Sequence, residues 1–169
     1  ILGGKDKVRI GAAQASPFFF DKDKTLSKAC DLIKEAAELE CNIISFPEVF
    51  ISGYPAFFTL GYDSNPKLWT EYLIALQRSS LVITGEEIDV LKRAAKDNNI
   101  IVVMGINELD GTPGSQTIFN SLLFIDNHGE LLGSHRKLVP TYSERIYWGN
   151  GDGSDLQVYD TEYGRISGL

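Results

Sequence analysis

Two short segments hold the residues of this chain best suited to chemistry. The first is Phe46-Pro47-Glu48. The second is His135-Arg136-Lys137-Leu138-Val139-Pro140-Thr141, with Glu144 close behind. In each, one charged side chain stands at the end of an apolar run, beside a proline that stops it. A carboxylate can take a proton from a nucleophile, and an ammonium can stabilise negative charge as it develops on an attacked group. The plainer readings are a solvated loop glutamate and an exposed edge-strand lysine, both common. The neighbours argue against them. Gly53-Tyr54-Pro55 and the Phe57-Phe58 pair give Glu48 aromatic walls of the kind that line small-molecule pockets. Lys137 leads into Leu138-Val139-Pro140, too apolar a continuation for an exposed lysine. Glu144 sits among Tyr142, Ser143, Arg145, Ile146, Tyr147 and Trp148, and by itself could simply pair with Arg145.

The elements around these residues follow from periodicity. Residues 8–13 read as a short strand. Leu26, Ala29, Cys30, Ile33, Ala36 and Ala37 recur at spacings of three and four, one face of a helix, with Lys28, Asp31, Lys34, Glu35 and Glu38 opposite. Residues 42–46 form an apolar run bounded by Pro47, a buried strand, so Glu48 stands just past its carboxyl end. That edge of an α/β sheet is where ligands gather. Residues 51–68 are rich in Gly, Pro and aromatics and read as a long shaped loop. A helix is expected near 69–78. Another is marked by a Thr84/Glu87 capping box, an Ile88-Leu91-Ala95 stripe, and Lys92, Arg93 and Lys96 in its last turns. Residues 100–106 are an almost wholly apolar strand. Residues 118–125 and 131–135 read as a hairpin turning at 126–129, and 157–160 and 165–169 as another turning at 161–164. On the second strand of the first hairpin, Lys137 shares a face with His135 and Gly133, and Arg136 points the other way. Strand–helix–strand–helix–strand followed by hairpins is an α/β layered domain.

Composition narrows the function. The 169 residues are 43% hydrophobic and 23% charged, globular values, and the net charge of −7 lacks the basic stripe of a nucleic-acid binder. No apolar run approaches the roughly 18–20 residues of a membrane span. The N-terminal residues 1–7 show no signal-peptide pattern, so a cytoplasmic protein is expected. Cys30 and Cys41 have no metal-ligand spacing with His128 or His135 and read as small buried hydrophobes. Gly149-Asn150-Gly151-Asp152-Gly153-Ser154-Asp155 imitates two motifs. No strand enters it and no helix leaves it, against a dinucleotide loop. The closing glutamate of a calcium loop is missing too. It reads as a turn-rich loop without a direct ligand role. No Gly-x-Ser-x-Gly elbow supports a serine hydrolase.

Together the two segments resemble the Glu and Lys signatures of the nitrilase (carbon–nitrogen hydrolase) superfamily. Phe46-Pro47-Glu48 with Gly53-Tyr54 is similar to the first, and Arg136-Lys137-Leu138-Val139-Pro140-Thr141 with Glu144 to the second. The run from Glu144 to Ser154 is more similar to the true nitrilase branch than to the amidase branches. The resemblance runs from Val8 onward and implies a four-layer α-β-β-α sandwich. Residues 1–169 would be its N-terminal half, truncated at the C-terminus, and Ile1, no initiator Met, leaves truncation at the N-terminus open as well. It implies Glu48 as general base, Lys137 as stabiliser of the tetrahedral intermediate, and Glu144 as the carboxylate that orients lysine and substrate. Tyr54 and Trp148 would bind substrate. The family's cysteine nucleophile follows a Gly-Leu-like segment such as Gly168-Leu169, and neither Cys30 nor Cys41 matches its place. Glu40 stands where many relatives have a helix-ending glycine, so an altered turn is expected there.

The activity implied is hydrolysis of a nitrile to a carboxylic acid and ammonia, without metal or organic cofactor. A homo-oligomer, a dimer or longer spiral, is implied for the complete protein, and no activity for residues 1–169 alone. Two other readings stay open: an amidase or carbamoyl hydrolase using the same residues, and a non-catalytic fragment or interaction protein built on half the fold.

Overall fold

The computed structural model describes residues 5–56 and 65–169, so Phe57 and Phe58 lie outside the described residues. The first helix, α1 (Lys22–Glu38), begins at Asp21, whose carboxylate accepts the Lys24 backbone N–H at 3.0 Å. It buries Leu26, Ala29, Ile33 and Ala36, the expected stripe. Glu40, where an altered turn was expected, takes the left-handed conformation a glycine would take (φ 59°). The Glu40 and Cys41 N–H groups return to Ala37 and Ala36 carbonyls at 2.9 Å, and Arg9 holds the Glu40 carboxylate at 3.0 Å. The turn is therefore kept, at a modest conformational cost.

Helix α2 (Pro66–Ser79) has Asn65 as its cap and a proline in its first turn. Helix α3 (Glu86–Asp97) departs from expectation at its start. Its cap is Gly85, which gives no side-chain hydrogen bond, and exposed Thr84 stays outside the helix. The expected capping box does not form: with Gly85 as cap Glu87 falls at the second helical position, and its carboxylate pairs with Lys22 at the start of α1. Glu86, Glu87 and Asp89 still place negative charge in the first turn, where the helix dipole favours it.

Among the described residues five strands form one sheet in the order β1 (Ile10–Ala12), β2 (Ile43–Ser45), β3 (Ile101–Leu109), β4 (Ile118–Ile125), β5 (Leu131–Arg136). The first three are parallel, and the hairpin-connected β3, β4 and β5 are antiparallel. At the β4–β5 turn, Asp126 accepts the N–H groups of His128 and Glu130. β3 runs three residues beyond the expected 100–106. Its extension carries Asn107 and Glu108, polar yet buried, and each is paired: Asn107 accepts the Trp148 indole N–H, and Glu108 accepts from Ser121 and Arg136. The second hairpin is shorter than expected, β6 (Tyr159–Thr161) and β7 (Gly164–Ile166), a separate two-stranded sheet.

Helices α1 and α3 pack together on one face of the main sheet. Ile33, Leu91, Ile100, Met104, Ile106 and Leu123 are fully buried there, each worth about 1.5–3 kcal/mol. On the other face, Tyr163 and Ile166 pack on Ile43, Ile101 and Val103, and the Tyr159 ring lies 5.0 Å from that of Phe124. The cysteines are half-buried rather than buried as expected, and burial pushes the Cys30 thiol pKa up. Among the described residues no helix is long and apolar enough to cross a membrane.

Candidate active site

Glu48 is delivered by the end of β2. The Phe46 N–H still bonds to the Val103 carbonyl of β3 at 2.9 Å, and Pro47 then ends the pairing. The chain next crosses β3 at Gly105, so close that a Cβ on Gly105 would strike the Pro47 carbonyl and the Val49 nitrogen. Val49 has φ 42°, a costly conformation for a β-branched residue. It is held there by complete burial beside Leu76, Ile118, Tyr147 and Trp148. Strain of this kind, about 1–3 kcal/mol, persists where the surroundings over-determine the backbone. It fixes the turn carrying Glu48.

Lys137 follows β5, and its N–H continues the ladder by donating to the Asn120 carbonyl at 2.8 Å. Its ammonium donates to Glu48 Oε1 at 2.8 Å and to Glu144 Oε2 at 2.9 Å. Glu144 lies on a 3-10 turn (Tyr142–Ile146) closed by a capping box with Thr141, whose N–H donates to Glu144 Oε2 at 2.6 Å. The Tyr54 hydroxyl donates to Glu144 Oε1 at 2.7 Å. Arg145, the alternative partner, instead donates to the Pro140 carbonyl. Three residues named from two distant segments thus meet around one ammonium.

The electrostatics follow from that contact. Burial disfavours the Lys137 ammonium, but hydrogen bonds to Glu48 and Glu144 outweigh it and raise the pKa above the usual lysine value. Burial pushes Glu144 up, yet Lys137, the Thr141 N–H and Tyr54 hold its carboxyl below the ordinary range. Burial, then the Glu144 carboxylate, drives Tyr54 well above the phenol range, so it remains a donor at neutral pH. Burial and Glu144 push Tyr147 up to about 12. Lys137 is therefore suited to act as a fixed positive charge rather than as a base.

Glu48, Asn120, Leu122, His135, Lys137 and Leu169 line a cavity of about 330 Å³. The two aromatic residues expected to bind substrate lie beside the ion cluster and do not border this cavity. Tyr54 packs edge-on against Trp148 with ring centroids 5.6 Å apart, and Lys137 Nζ lies 5.9 Å from the Trp148 ring. The Trp148 indole N–H is tied to Asn107 at 2.9 Å. Sequence reasoning missed two residues here. Asn120 Nδ2 donates to Glu48 Oε1 at 2.6 Å. Asp155 pairs with His135 Nδ1 at 2.8 Å through Oδ1 and accepts the Arg136 N–H at 2.8 Å through Oδ2, anchoring the glycine-rich loop to the strand before Lys137. The available signal was a lone amide inside the apolar run Ile118–Ile125, since a buried polar group needs a partner. Among the described residues no group of three or more His, Cys, Asp or Glu could hold a metal ion.

Comparison with known proteins adds relatives to this geometry. The family model described as carbon-nitrogen hydrolase matches residues 9–169. The chain is 38% identical to a prokaryotic protein named nitrilase 2, over 99% of this chain and 52% of the relative. It is 40% identical to an aliphatic nitrilase of Rhodococcus rhodochrous, over 95% and 42%. It is 39% identical to a nitrilase of Bacillus sp. strain OxB-1, over 96% and 46%. It thus spans about half the length of these relatives. Two solved structures share the fold. One is a Saccharomyces cerevisiae member of branch 10 of the nitrilase superfamily, with TM-score 0.73, 22% identity, and 95% of this chain and 54% of that one covered. The other is an amidase from Nesterenkonia sp., with TM-score 0.66, 20% identity, and the same coverage.

Proposed function

The chain belongs to the carbon–nitrogen hydrolase family, and on that footing we propose that it supplies Glu48, Lys137 and Glu144 to a nitrilase-type hydrolase, which converts a nitrile to a carboxylic acid and ammonia. The observation that carries this reading is the Lys137 ammonium held between two carboxylates at 2.8 and 2.9 Å, beside a cavity. The nucleophile is the cysteine that the family resemblance implies beyond Leu169.

On this reading Glu48 takes the thiol proton, and the sulfur forms a bond to the nitrile carbon. The negative charge that moves onto nitrogen is stabilised by Lys137, and protonation gives a thioimidate. Glu48 then deprotonates a water that adds to the same carbon. The carbon–nitrogen bond breaks, and the protonated nitrogen leaves as ammonia. A second water, activated in the same way, breaks the carbon–sulfur bond and releases the acid, so two waters are consumed per nitrile. Glu144 orients Lys137 throughout, with Tyr54 donating to its other oxygen. The complete protein forms a homo-oligomer.

The test is product analysis on the protein that carries this chain together with its second half. Nitriles should give carboxylate and ammonia in equal amounts, faster than the corresponding amides give them. Hydrolysis of amides without release of ammonia from any nitrile would overturn the nitrile assignment in favour of an amidase.

A further inference from the structure

We propose that Asn120 is a positioning residue for Glu48: its side-chain amide holds one carboxylate oxygen and leaves the other, Oε2, to handle the proton. The inference rests on the proposed role of Glu48 as base. Asn120 lies within β4 and is almost fully buried, at 6% exposure. Its Nδ2 sits 2.6 Å from Glu48 Oε1, and Lys137 Nζ sits 2.8 Å from the same oxygen. A carboxylate only accepts, so the amide must present its N–H here and its orientation is not ambiguous. Among the described residues no donor engages Oε2.

Glu48 needs such a tether. Its side chain is 46% exposed and stands on a loop, and Lys137 is also drawn toward Glu144. One flexible ammonium cannot set the plane of a carboxylate, whereas two donors converging on one oxygen can. The second donor is neutral, so it fixes orientation without adding a charge that would compete with Lys137. The backbone of Asn120 does a second job, because its carbonyl accepts the Lys137 N–H at 2.8 Å. A single residue of β4 therefore sets both members of the base–ammonium pair, through its side chain for one and its main chain for the other. An apolar residue would suit this strand better on burial alone, and the amide is tolerated because it is bonded.

The test uses the protein carrying this chain and its second half, with Asn120→Leu, Asn120→Asp and Asn120→Ser. Turnover per folded molecule, kcat, should fall about 10- to 100-fold in Asn120→Leu, the scale of one lost hydrogen bond to a charged group. KM should stay within about twofold, because the loss falls on proton transfer and not on ground-state binding. Asn120→Ser, which keeps a hydroxyl donor, should recover part of kcat. Asn120→Asp, which sets a second carboxylate against the first, should not. Crystal structures should show the Glu48 carboxylate turned away from Lys137 in the Leu variant. An unmoved Glu48, an unchanged kcat, or a rise in KM at constant kcat would each overturn the proposal. If the Leu variant fails to fold, the near-isosteric Asp and smaller Ser variants carry the same comparison. Absence of hydrolysis by the unmodified protein would sink the proposed function alone, and the position of Glu48 in the variants would still decide the role of Asn120.

Discussion

Lys137 lies within 3 Å of two carboxylates, so removing its charge leaves two acids facing each other as well as removing the electrophile. On the proposed mechanism, Lys137→Met should lower kcat/KM by about 10²- to 10³-fold or more, the scale of losing one charge-stabilising donor. Lys137→Arg should not restore it, since a planar guanidinium cannot occupy the same point between Glu48 and Glu144; steady-state kinetics checks both. The same contact predicts a pH dependence. Glu144 is depressed below its ordinary 4.5, so the stability it contributes is full above that value and lost as pH falls through the folded pKa. Lys137 is raised above 10.5, so its contribution is full below that value and lost as pH rises through the folded pKa. Thermal melts should therefore show a cluster contribution that is level between these limits. Lys137→Met should show a smaller decline on the acid side than the unmodified protein. At this scale the sequence was half legible. Glu48 and Lys137 stood out because a lone charge beside an apolar run is expensive, whereas Glu144, which could have paired with Arg145, was singled out only by the family resemblance. Asn120 and Asp155 did not stand out, because their partners lie 72 and 20 residues away and neither belongs to a periodic pattern.

The elements were legible where burial dictates periodicity and illegible where long-range partners decide. The stripe of α1 follows from apolar spacing, and the bounds of β4 from a mostly apolar run. β3 outran its expected end because Asn107 and Glu108 look like a strand terminus until Trp148, Ser121 and Arg136 are brought to them. The start of α3 was misread by one residue: Gly85 rather than Thr84 is its cap, and Glu87, the capping-box partner in sequence, pairs with Lys22. Thr84→Ala should thus change stability by less than about 0.5 kcal/mol, against the roughly 1 kcal/mol of a true cap, as denaturant titration would show. Gly105 makes the opposite prediction. Gly105→Ala forces a Cβ into the Pro47–Val49 backbone, which cannot retreat as a flexible side chain would. It should cost about 1–3 kcal/mol or more and reduce activity out of proportion, because the displaced segment carries Glu48. A stability loss with unchanged kcat would show that β3 does not hold the turn in place.

The molecule as a whole shows one sheet face covered by α1 and α3, and on the other a short hairpin over Ile43 and Ile101. Ile10 and Val158 remain 64% and 61% exposed. The α/β order of strands and helices was readable from the sequence, because each helix and buried strand has its own period. What lies over the remaining sheet face was expected only through the family resemblance, since no periodic pattern within the chain encodes a partner layer. On the proposed reading that layer comes from the second half of the protein, and with it the cysteine whose proton Glu48 takes. The most direct test of this account is ammonia release from a nitrile by the protein carrying both halves, compared with its Glu48→Gln variant, which keeps the shape and removes the base. The account predicts turnover by the unmodified protein and a fall in kcat/KM of about 10²- to 10⁴-fold in Glu48→Gln, the range general acid–base catalysis supplies. A Gln variant within about tenfold of the unmodified protein would contradict it, because the reaction would then not depend on Glu48 as its general base.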